Sequence, residues 1–336
     1  MASAEQIKAL VHSHLDGDEE QFYSVAMQMA AAAARKGQGK FAQELRLLID
    51  QARSAPSIKP VNVPTPISRP RGELADLLTV SYPKVRLTEM TLDERLANSL
   101  KRILNEQRHF DRLRSHGLSA RRKLLFTGPP GTGKTMSAAV LASALNLPLF
   151  TVRLDGLITR YLGESITKLR LIFDALAQTR AVYLFDEFDS IGSHRGVAND
   201  VGEIKRVLNS FLMFIEQDDS NSLIIAATNH PQSLDYALFR RFDELVEFSL
   251  PEPELIIATL KQRLASSDCA KVDFTQLAKA ANGLSFAEIT QACDEAMKEA
   301  FLQERKCIKT SDVMTSLTER VRFHQRFVVK PPNLIE

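Results

Sequence analysis

Residues 128–135 read GPPGTGKT, and this short stretch decides the fold of the chain. It fits the pattern G-x-x-x-x-G-K-[S/T], in which glycines let consecutive backbone N–H groups turn inward around phosphate oxygens. An apolar run at Lys123–Thr127 precedes it and a helical pattern at residues 135–145 follows. The positive end of that helix's dipole would face the same anion. We therefore expect a nucleotide site here rather than a purely structural glycine turn.

The loop's residues have distinct expected roles. Lys134 is its only cation and should reach the β and γ phosphates of ATP, and the Thr135 hydroxyl should ligate Mg²⁺. The residues that we expect to bind the nucleotide are Gly128, Pro129, Pro130, Gly131, Thr132, Gly133, Lys134, Thr135 and Met136.

A pair of carboxylates, Asp186 and Glu187, ends the apolar run Val182–Phe185. In an open parallel sheet, ligand sites form at the carboxyl ends of the strands. We expect Asp186 to hold Mg²⁺, mainly through its water shell, and Glu187 to accept a proton from the attacking water. An ordinary acidic turn is the alternative, and the presence of a phosphate loop disfavours it.

Short apolar runs alternate with longer helical periods through the middle of the chain. We predict strands at residues 123–127, 149–153, 181–185 and 223–228, and helices at residues 92–106, 135–145, 165–178 and 203–216. This alternation predicts an α/β fold, a P-loop parallel sheet with helices on both faces. From Pro253 onward only helical periods remain, which predicts a small all-α domain.

The beginning of the chain has a different character. Apolar residues at helical spacing, such as Phe22, Val25 and Met29, predict a small N-terminal helical bundle. Prolines at positions 56, 60, 64, 66 and 70 then exclude a helix or a central strand. They predict an extended linker, whose second half could equally be a strap along the next domain.

Composition excludes several classes of protein. Hydrophobic residues make up 44% and charged residues 25% of the 336 residues, which excludes a disordered chain, a collagen and a disulfide scaffold. The formal net charge of +2 gives no whole-protein argument for binding a nucleic acid or a membrane. The three cysteines form no C-x-x-C pair, so we predict buried thiols and a cytoplasmic location. A secretory signal and a membrane-spanning run are not expected.

Together these motifs resemble the AAA+ ATPases, specifically the classical AAA branch, over roughly residues 92–317. The compact arginine motif described next is similar to that of the ESCRT-disassembling and microtubule-severing members. The resemblance implies ATP and Mg²⁺ as ligands. Asn229 ends the strand after the acidic one and looks like the sensor-1 position, where it would orient water together with Glu187. A solvated asparagine at a strand end is the alternative.

Residues 234–243, LDYALFRRFD, are similar to the family's second region of homology. In that family, arginines at the positions of Arg240 and Arg241 reach into the neighbouring subunit's site. A guanidinium there spreads positive charge over the transferring phosphoryl group. Surface arginines at a helix end are the alternative. The resemblance implies a homo-oligomer, a hexameric ring, and leaves open which arginine is the principal finger.

Two further segments bear on what such a ring would do. Residues 160–165, RYLGES, look like a first pore loop formed by Arg160, Tyr161 and Leu162, in which Tyr161 would grip an extended polypeptide. A core tyrosine is the alternative. Residues 283–289, GLSFAEI, resemble the start of the family's lid helix, with Phe286 where relatives commonly have glycine. The segment has no sensor-2 arginine, which weighs against a DNA-loading role.

Two functional hypotheses follow. The first is a ring motor that uses ATP hydrolysis to remodel, unfold or disassemble a protein client through a central pore, the client being recruited by the N-terminal domain. The second is an ATP-switched scaffold that controls a separately encoded effector, such as a protease or nuclease, without threading. A membrane partner is not expected and a nucleic-acid partner has little support.

The predicted domains are an N-terminal helical domain (1–54), a Pro-rich linker (55–71), the large ATPase domain (72–250), the helical lid (251–327) and a C-terminal tail (328–336).

Overall fold

The structure, a computed structural model, falls into two units, Met1–Val63 and Pro64–Glu336. It describes residues 25–27, 29, 30, 32, 43, 47, 70, 72–157, 162–189, 200–234, 236–265, 272–305 and 307–327. In the first unit the described residues are helical, and Ala26 and Ala30 are buried. The predicted tail, the linker apart from Pro70, and most of the predicted N-terminal bundle lie outside the described residues.

The second unit is built from alternating strands and helices, followed by helices alone. The strands are β1 (Leu78–Ser81), β2 (Lys123–Thr127), β3 (Leu149–Val152), β4 (Val182–Phe185), β5 (Leu223–Thr228) and β6 (Glu244–Glu247). Among the described residues, the helices that alternate with the strands are α1 (Glu73–Leu77), α2 (Glu94–Arg108), α3 (Phe110–Ser115), α4 (Lys134–Leu145), α5 (Leu154–Leu157), α6 (Leu162–Gln178), α7 (Asp200–Gln217) and α8 (Tyr236–Phe239). Those that follow the sheet are α9 (Pro253–Leu264), α10 (Phe274–Ala280), α11 (Phe286–Leu302) and α12 (Thr310–Phe327).

The six strands form one sheet in the order β1-β3-β4-β5-β2-β6. All neighbouring pairs are parallel except β1 with β3. The predicted α/β fold is confirmed, with the difference that the sheet gains two edge strands, of which β1 is antiparallel. Both are short and bury a single residue each, Leu78 and Val246, so neither carries the continuous apolar run that marks a central strand.

The central strands β4 and β5 are buried along their whole length because helices cover both faces of the sheet. On one face Phe173, Phe185 and Phe211 pack with ring centroids 5.0–6.2 Å apart. On the other face α4 and α2 pack over β2, whose Phe126 contacts Phe248. This packing fixes the strand ends, and with them the loops that carry polar side chains.

Helices α9–α12 have a hydrophobic core of their own, which includes Ile256, Leu277 and Ile289. This confirms the predicted all-α domain after the sheet. Helix α11 begins with a capping box: Ser285 Oγ accepts a hydrogen bond from Glu288 N, and the Glu288 carboxylate accepts one from Ser285 N. Cys293 is buried as predicted, Cys307 is exposed just before α12, contrary to the prediction, and Cys269 lies outside the described residues.

In the parts of the chain that the structure describes, no helix is both long and apolar enough to cross a membrane.

Candidate functional site

The predicted phosphate loop leaves β2 at the carboxyl edge of the sheet and leads directly into α4. Two of its glycines are required by the packing. At Gly128, with φ of 143°, a Cβ atom would lie 2.0 Å from the carbonyl oxygen of Phe248. At Gly131, with φ of 73°, it would lie 2.5 Å from Ser285 Oγ. The loop is therefore in close contact with the end of the sheet on one side and with the start of α11 on the other.

Lys134 is the first residue of α4 and is only 7% exposed. Its Nζ donates hydrogen bonds to the carbonyl oxygens of Gly128 and Pro129, both at 2.7 Å. Burial lowers the pKa of Lys134, and the charges of Asp186 and Asp189 act in the opposite direction. Because both hydrogen-bond partners are neutral, the ammonium group would be stabilised by an anion placed in the loop. The residues present therefore fit a bound phosphate.

Thr135 and Asp186 meet where α4 begins and β4 ends. The Thr135 hydroxyl donates a hydrogen bond of 2.7 Å to Asp186 Oδ2. A hydroxyl and a carboxylate are the oxygen ligands that suit Mg²⁺, which usually takes one or two protein carboxylates and keeps several waters. These two side chains fit a magnesium ion next to the phosphate loop.

Glu187 is exposed and has an unusual backbone conformation, with φ of 51°. A left-handed conformation costs roughly 1–2 kcal/mol in a residue with a Cβ atom. Neighbouring hydrogen bonds hold it: Glu187 N donates to Asp186 Oδ1 at 3.0 Å, and Phe188 N donates to Ala227 O at 2.8 Å. Such outliers persist where the surrounding structure imposes them, often at functional sites.

Asn229 lies immediately after β5, the strand that neighbours β4, and is partly buried. Its backbone N–H donates to Asp189 Oδ1 at 3.2 Å, and the buried Thr228 hydroxyl donates to the same atom at 2.9 Å. The structure thus brings the turn of Glu187 and the end of β5 together. Sequence reasoning missed Asp189, and the usable signal was the expected adjacency of β4 and β5, which places Asp189 near Thr228 and Asn229.

Arg240 and Arg241 lie at the end of the sheet where the parallel strands begin. The phosphate loop lies at the other end, where these strands finish. The next residues lead into β6, and Asp243 accepts hydrogen bonds from the backbone of Arg122 and Lys123, where β2 begins. Arg240 is exposed, and Arg241 Nε lies 3.0 Å from Glu216 Oε2 on α7. Strand β2 has five residues, so its first and last Cα atoms are four steps of ~3.3 Å, or about 13 Å, apart. The structure does not bring the arginines together with the loop of the same chain.

Of the predicted pore-loop residues, the structure describes only Leu162, which begins α6. Arg160 and Tyr161 lie outside the described residues.

A cavity of about 430 Å³ lies between the phosphate loop and the helical domain. Its wall includes Gly133 and the predicted nucleotide-binding residue Met136 on the loop side, and Phe286 and Gln262 on the helical side. Met90 and Thr91, which precede α2 and were not predicted, also line it. Hydrogen bonds connect the sides, among them one of 3.1 Å from Ala287 N to Gly131 O and one of 2.9 Å from Thr91 Oγ1 to Gln262 Oε1. The cavity adjoins the loop, and Met90, Met136 and Phe286 give part of its wall an apolar surface, which suits a nucleotide base.

Comparison with known proteins agrees with this geometry. The model of the ATPase family associated with various cellular activities (AAA) matches residues 124–250, and the AAA+ lid domain model matches residues 271–315. The chain is also similar to a protein of Sinorhizobium fredii (strain NBRC 101917 / NGR234) named "Uncharacterized AAA family ATPase y4kL". The two are 35% identical over 326 residues, which cover 96% of each chain.

Proposed function

Because the chain belongs to the AAA family of ATPases, we propose that it is an ATP-hydrolysing ring motor that remodels a protein client through a central pore. The observation that carries the ATPase part is the contact between Thr135 and Asp186 beside the buried Lys134. Because of this contact, the Lys134 ammonium group and two oxygens of the kind that Mg²⁺ prefers lie at one end of the sheet, and this supports the proposal.

In the proposed reaction, a water oxygen forms a bond to the γ-phosphorus of ATP while the bond to the β–γ bridging oxygen breaks and ADP leaves. Glu187 accepts the proton that the water gives up, and the Asn229 side chain orients that water. Lys134 balances charge on the β and γ phosphates. Mg²⁺, held by Thr135 and through water by Asp186, would supply further positive charge.

The test of this chemistry uses two variants with opposite expected effects on binding. Lys134→Ala should abolish ATP binding because the loop loses its only cation. Glu187→Gln should still bind ATP but hydrolyse it at least ~100-fold more slowly, because an amide cannot accept the proton. Binding of a fluorescent ATP analogue and phosphate release measure the two steps. Normal turnover by Glu187→Gln would refute the assignment of the base.

The proposed ring follows from the position of the two arginines. Arg240 and Arg241 lie at the edge of the sheet remote from their own phosphate loop, so we assign them to the site of a neighbouring subunit in a homohexamer. AAA+ proteins commonly assemble in this way, and an arginine supplied in trans is worth ~10³–10⁵ in rate where it has been measured.

A mixing experiment tests this arrangement. The double variant Arg240→Ala/Arg241→Ala and the variant Glu187→Gln should each be inactive alone. In mixed rings, the intact site of the arginine variant meets the intact arginines of the other subunit, so activity should return. If the arginines acted within their own chain, mixing would restore nothing, provided that size-exclusion chromatography shows mixed rings.

Client threading is the part of the proposal that rests on Tyr161 and on a recruiting role for residues 1–54. Tyr161→Ala should stop unfolding of a tagged client while ATP hydrolysis continues, and Tyr161→Phe should retain both because it keeps the aromatic ring. If the chain is instead an ATP-switched scaffold that controls a separately encoded effector, Tyr161→Ala should leave that control intact. The same pair of variants therefore separates the motor from the scaffold.

A further inference from the structure

Asp189 is a carboxylate to which the proposed reaction gives no role, although it lies two residues after Glu187 and is hydrogen-bonded to Asn229, which both have one. It is 9% exposed, and it directly follows Phe188 in the turn that carries Asp186 and Glu187. A buried carboxylate of this kind is costly unless several hydrogen bonds satisfy it. The two hydrogen bonds that the structure gives it both come from the end of β5.

We infer that Asp189 is a positioning residue for hydrolysis, which fixes the distance between Glu187 and Asn229 by joining the turn after β4 to the end of β5. This inference rests on the proposed ATPase function. The joining atom is Asp189 Oδ1, which accepts from Thr228 Oγ1 at 2.9 Å and from Asn229 N at 3.2 Å.

Two further contacts show why the connection that Asp189 makes between its turn and β5 matters for Glu187. Phe188 N donates to Ala227 O at 2.8 Å, so the turn contacts β5 at two successive residues, Phe188 and Asp189. Glu187 stands immediately before them in its left-handed conformation, with φ of 51°. A strained residue keeps its conformation only if both of its flanks are fixed. The hydrogen bond from Thr135 to Asp186 fixes the backbone before Glu187, and the contacts to β5 fix the backbone after it.

The Thr228 hydroxyl connects Asp189 to the backbone that follows Asn229. It donates to Asp189 and accepts a hydrogen bond of 3.0 Å from His230 N. The backbone on both sides of the Asn229 Cα atom is thus tied to one carboxylate, directly at Asn229 N and through Thr228 at His230 N. The Asn229 side chain should therefore lose its orientation when Asp189 is removed.

The expected effect of Asp189→Ala is a loss of turnover at saturating ATP without a matching loss of ATP affinity. Displacing a catalytic group by about 1 Å can cost ~100-fold in rate, so we expect kcat to fall by roughly 10–100-fold. The dissociation constant for ATP should change by less than about threefold, because Lys134 and the loop are intact. Asp189→Asn should retain most activity, since its amide oxygen can accept both hydrogen bonds.

A double-mutant cycle with Asn229→Ala provides the decisive measurement. If Asp189 fixes the distance between Glu187 and Asn229, removing it should cost clearly less in the Asn229→Ala background than in the wild type, because that distance no longer matters once the Asn229 side chain is gone. If the two losses multiply in full, Asp189 does not act through Asn229 and the inference is wrong. Equal kcat for Asp189→Ala and the wild type would also overturn it.

A matched pair of hydroxyl deletions guards against a purely structural effect. Thr228→Val removes the buried donor to Asp189. Ser222→Ala removes another buried hydroxyl just before β5, at the opposite edge of the sheet, where it bonds Leu176 O and Thr179 O at 3.0 Å. Both should lower the thermal midpoint, but only Thr228→Val should lower kcat. A proportional loss in both would refute the inference, whereas absence of ATPase activity in the wild type would refute the proposed function itself.

Discussion

The contact between the phosphate loop and the helical domain gives a prediction whose size can be worked out from two glycines. Gly131 and Gly117 have almost the same positive φ, 73° and 72°. A Cβ atom added at Gly117 would meet nothing within 4 Å, whereas at Gly131 it would lie 2.5 Å from Ser285 Oγ and 3.1 Å from Ala287 Cβ. Substituting alanine at the two positions therefore separates the cost of the backbone conformation from the cost of the contact.

The shared cost is that of placing alanine in the left-handed region, roughly 1–2 kcal/mol. Gly131→Ala should add the loss of the Ala287 N to Gly131 O hydrogen bond, about 0.5–1.5 kcal/mol. It should also disturb the Ser285 cap of α11, which is worth about 0.5–2 kcal/mol. We expect Gly131→Ala to be less stable than Gly117→Ala by about 1–3.5 kcal/mol.

Urea unfolding followed by circular dichroism measures the difference, and binding of a fluorescent ATP analogue measures its consequence for the site. The displaced helix borders the proposed base cavity, so Gly131→Ala should also weaken ATP binding, while Gly117→Ala should not. Equal stability losses in the two variants, together with equal ATP affinities, would refute the reasoning that the helical domain is held against the loop through this contact.

Further predictions concern the packing around the sheet. Asp218→Ala should lower the free energy of unfolding by about 3–5 kcal/mol, because it leaves the Arg122 guanidinium without its largely buried partner. Asp219→Ala changes a fully exposed side chain and should lower it by less than about 0.5 kcal/mol. Urea midpoints compare the two variants. Burial raises the pKa of Tyr183, so the unfolded chain releases this proton first as the pH rises through about 10 and stability should then fall. Tyr183→Phe should reduce that fall, measured as urea midpoints between pH 8.5 and 10.5; an unchanged pH dependence would contradict the assignment to Tyr183.

The sequence allowed the central part of the fold to be predicted because the relevant signals are local. A short apolar run such as Val182–Phe185, followed at once by turn residues, indicates a buried strand, and the glycine pattern at residues 128–135 specifies its own flanks. The edge strands β1 and β6 escaped prediction because one neighbour and one buried residue leave little trace in the pattern. Met90 and Thr91 escaped for a different reason: their place in the cavity depends on where the helical domain sits, which no local pattern encodes.

Asp189 shows the same limit at the level of a single side chain. Its own neighbours mark it as one more acidic residue in a polar turn. Its partners, Thr228 and Asn229, lie 39 and 40 residues further along the chain. Only the parallel pairing of β4 with β5 puts the ends of the two strands side by side. A prediction of adjacent strands would have been enough to place these residues near each other, but not to show that one carboxylate oxygen accepts both hydrogen bonds.

The distribution of charge across the sheet is the strongest argument for an assembly of several copies. Lys134, Asp186 and Glu187 gather at the carboxyl edge because parallel strands end there. Arg240 and Arg241 precede β6, which runs parallel to β2, and they must therefore lie at the other edge. No rotation of an arginine side chain spans the length of β2 through the packed sheet, so one chain cannot supply both halves of the proposed site. A second chain can, if it presents its amino edge to the carboxyl edge of the first. If that head-to-tail contact is repeated, the copies form a closed ring when a whole number of equal rotations adds up to 360°.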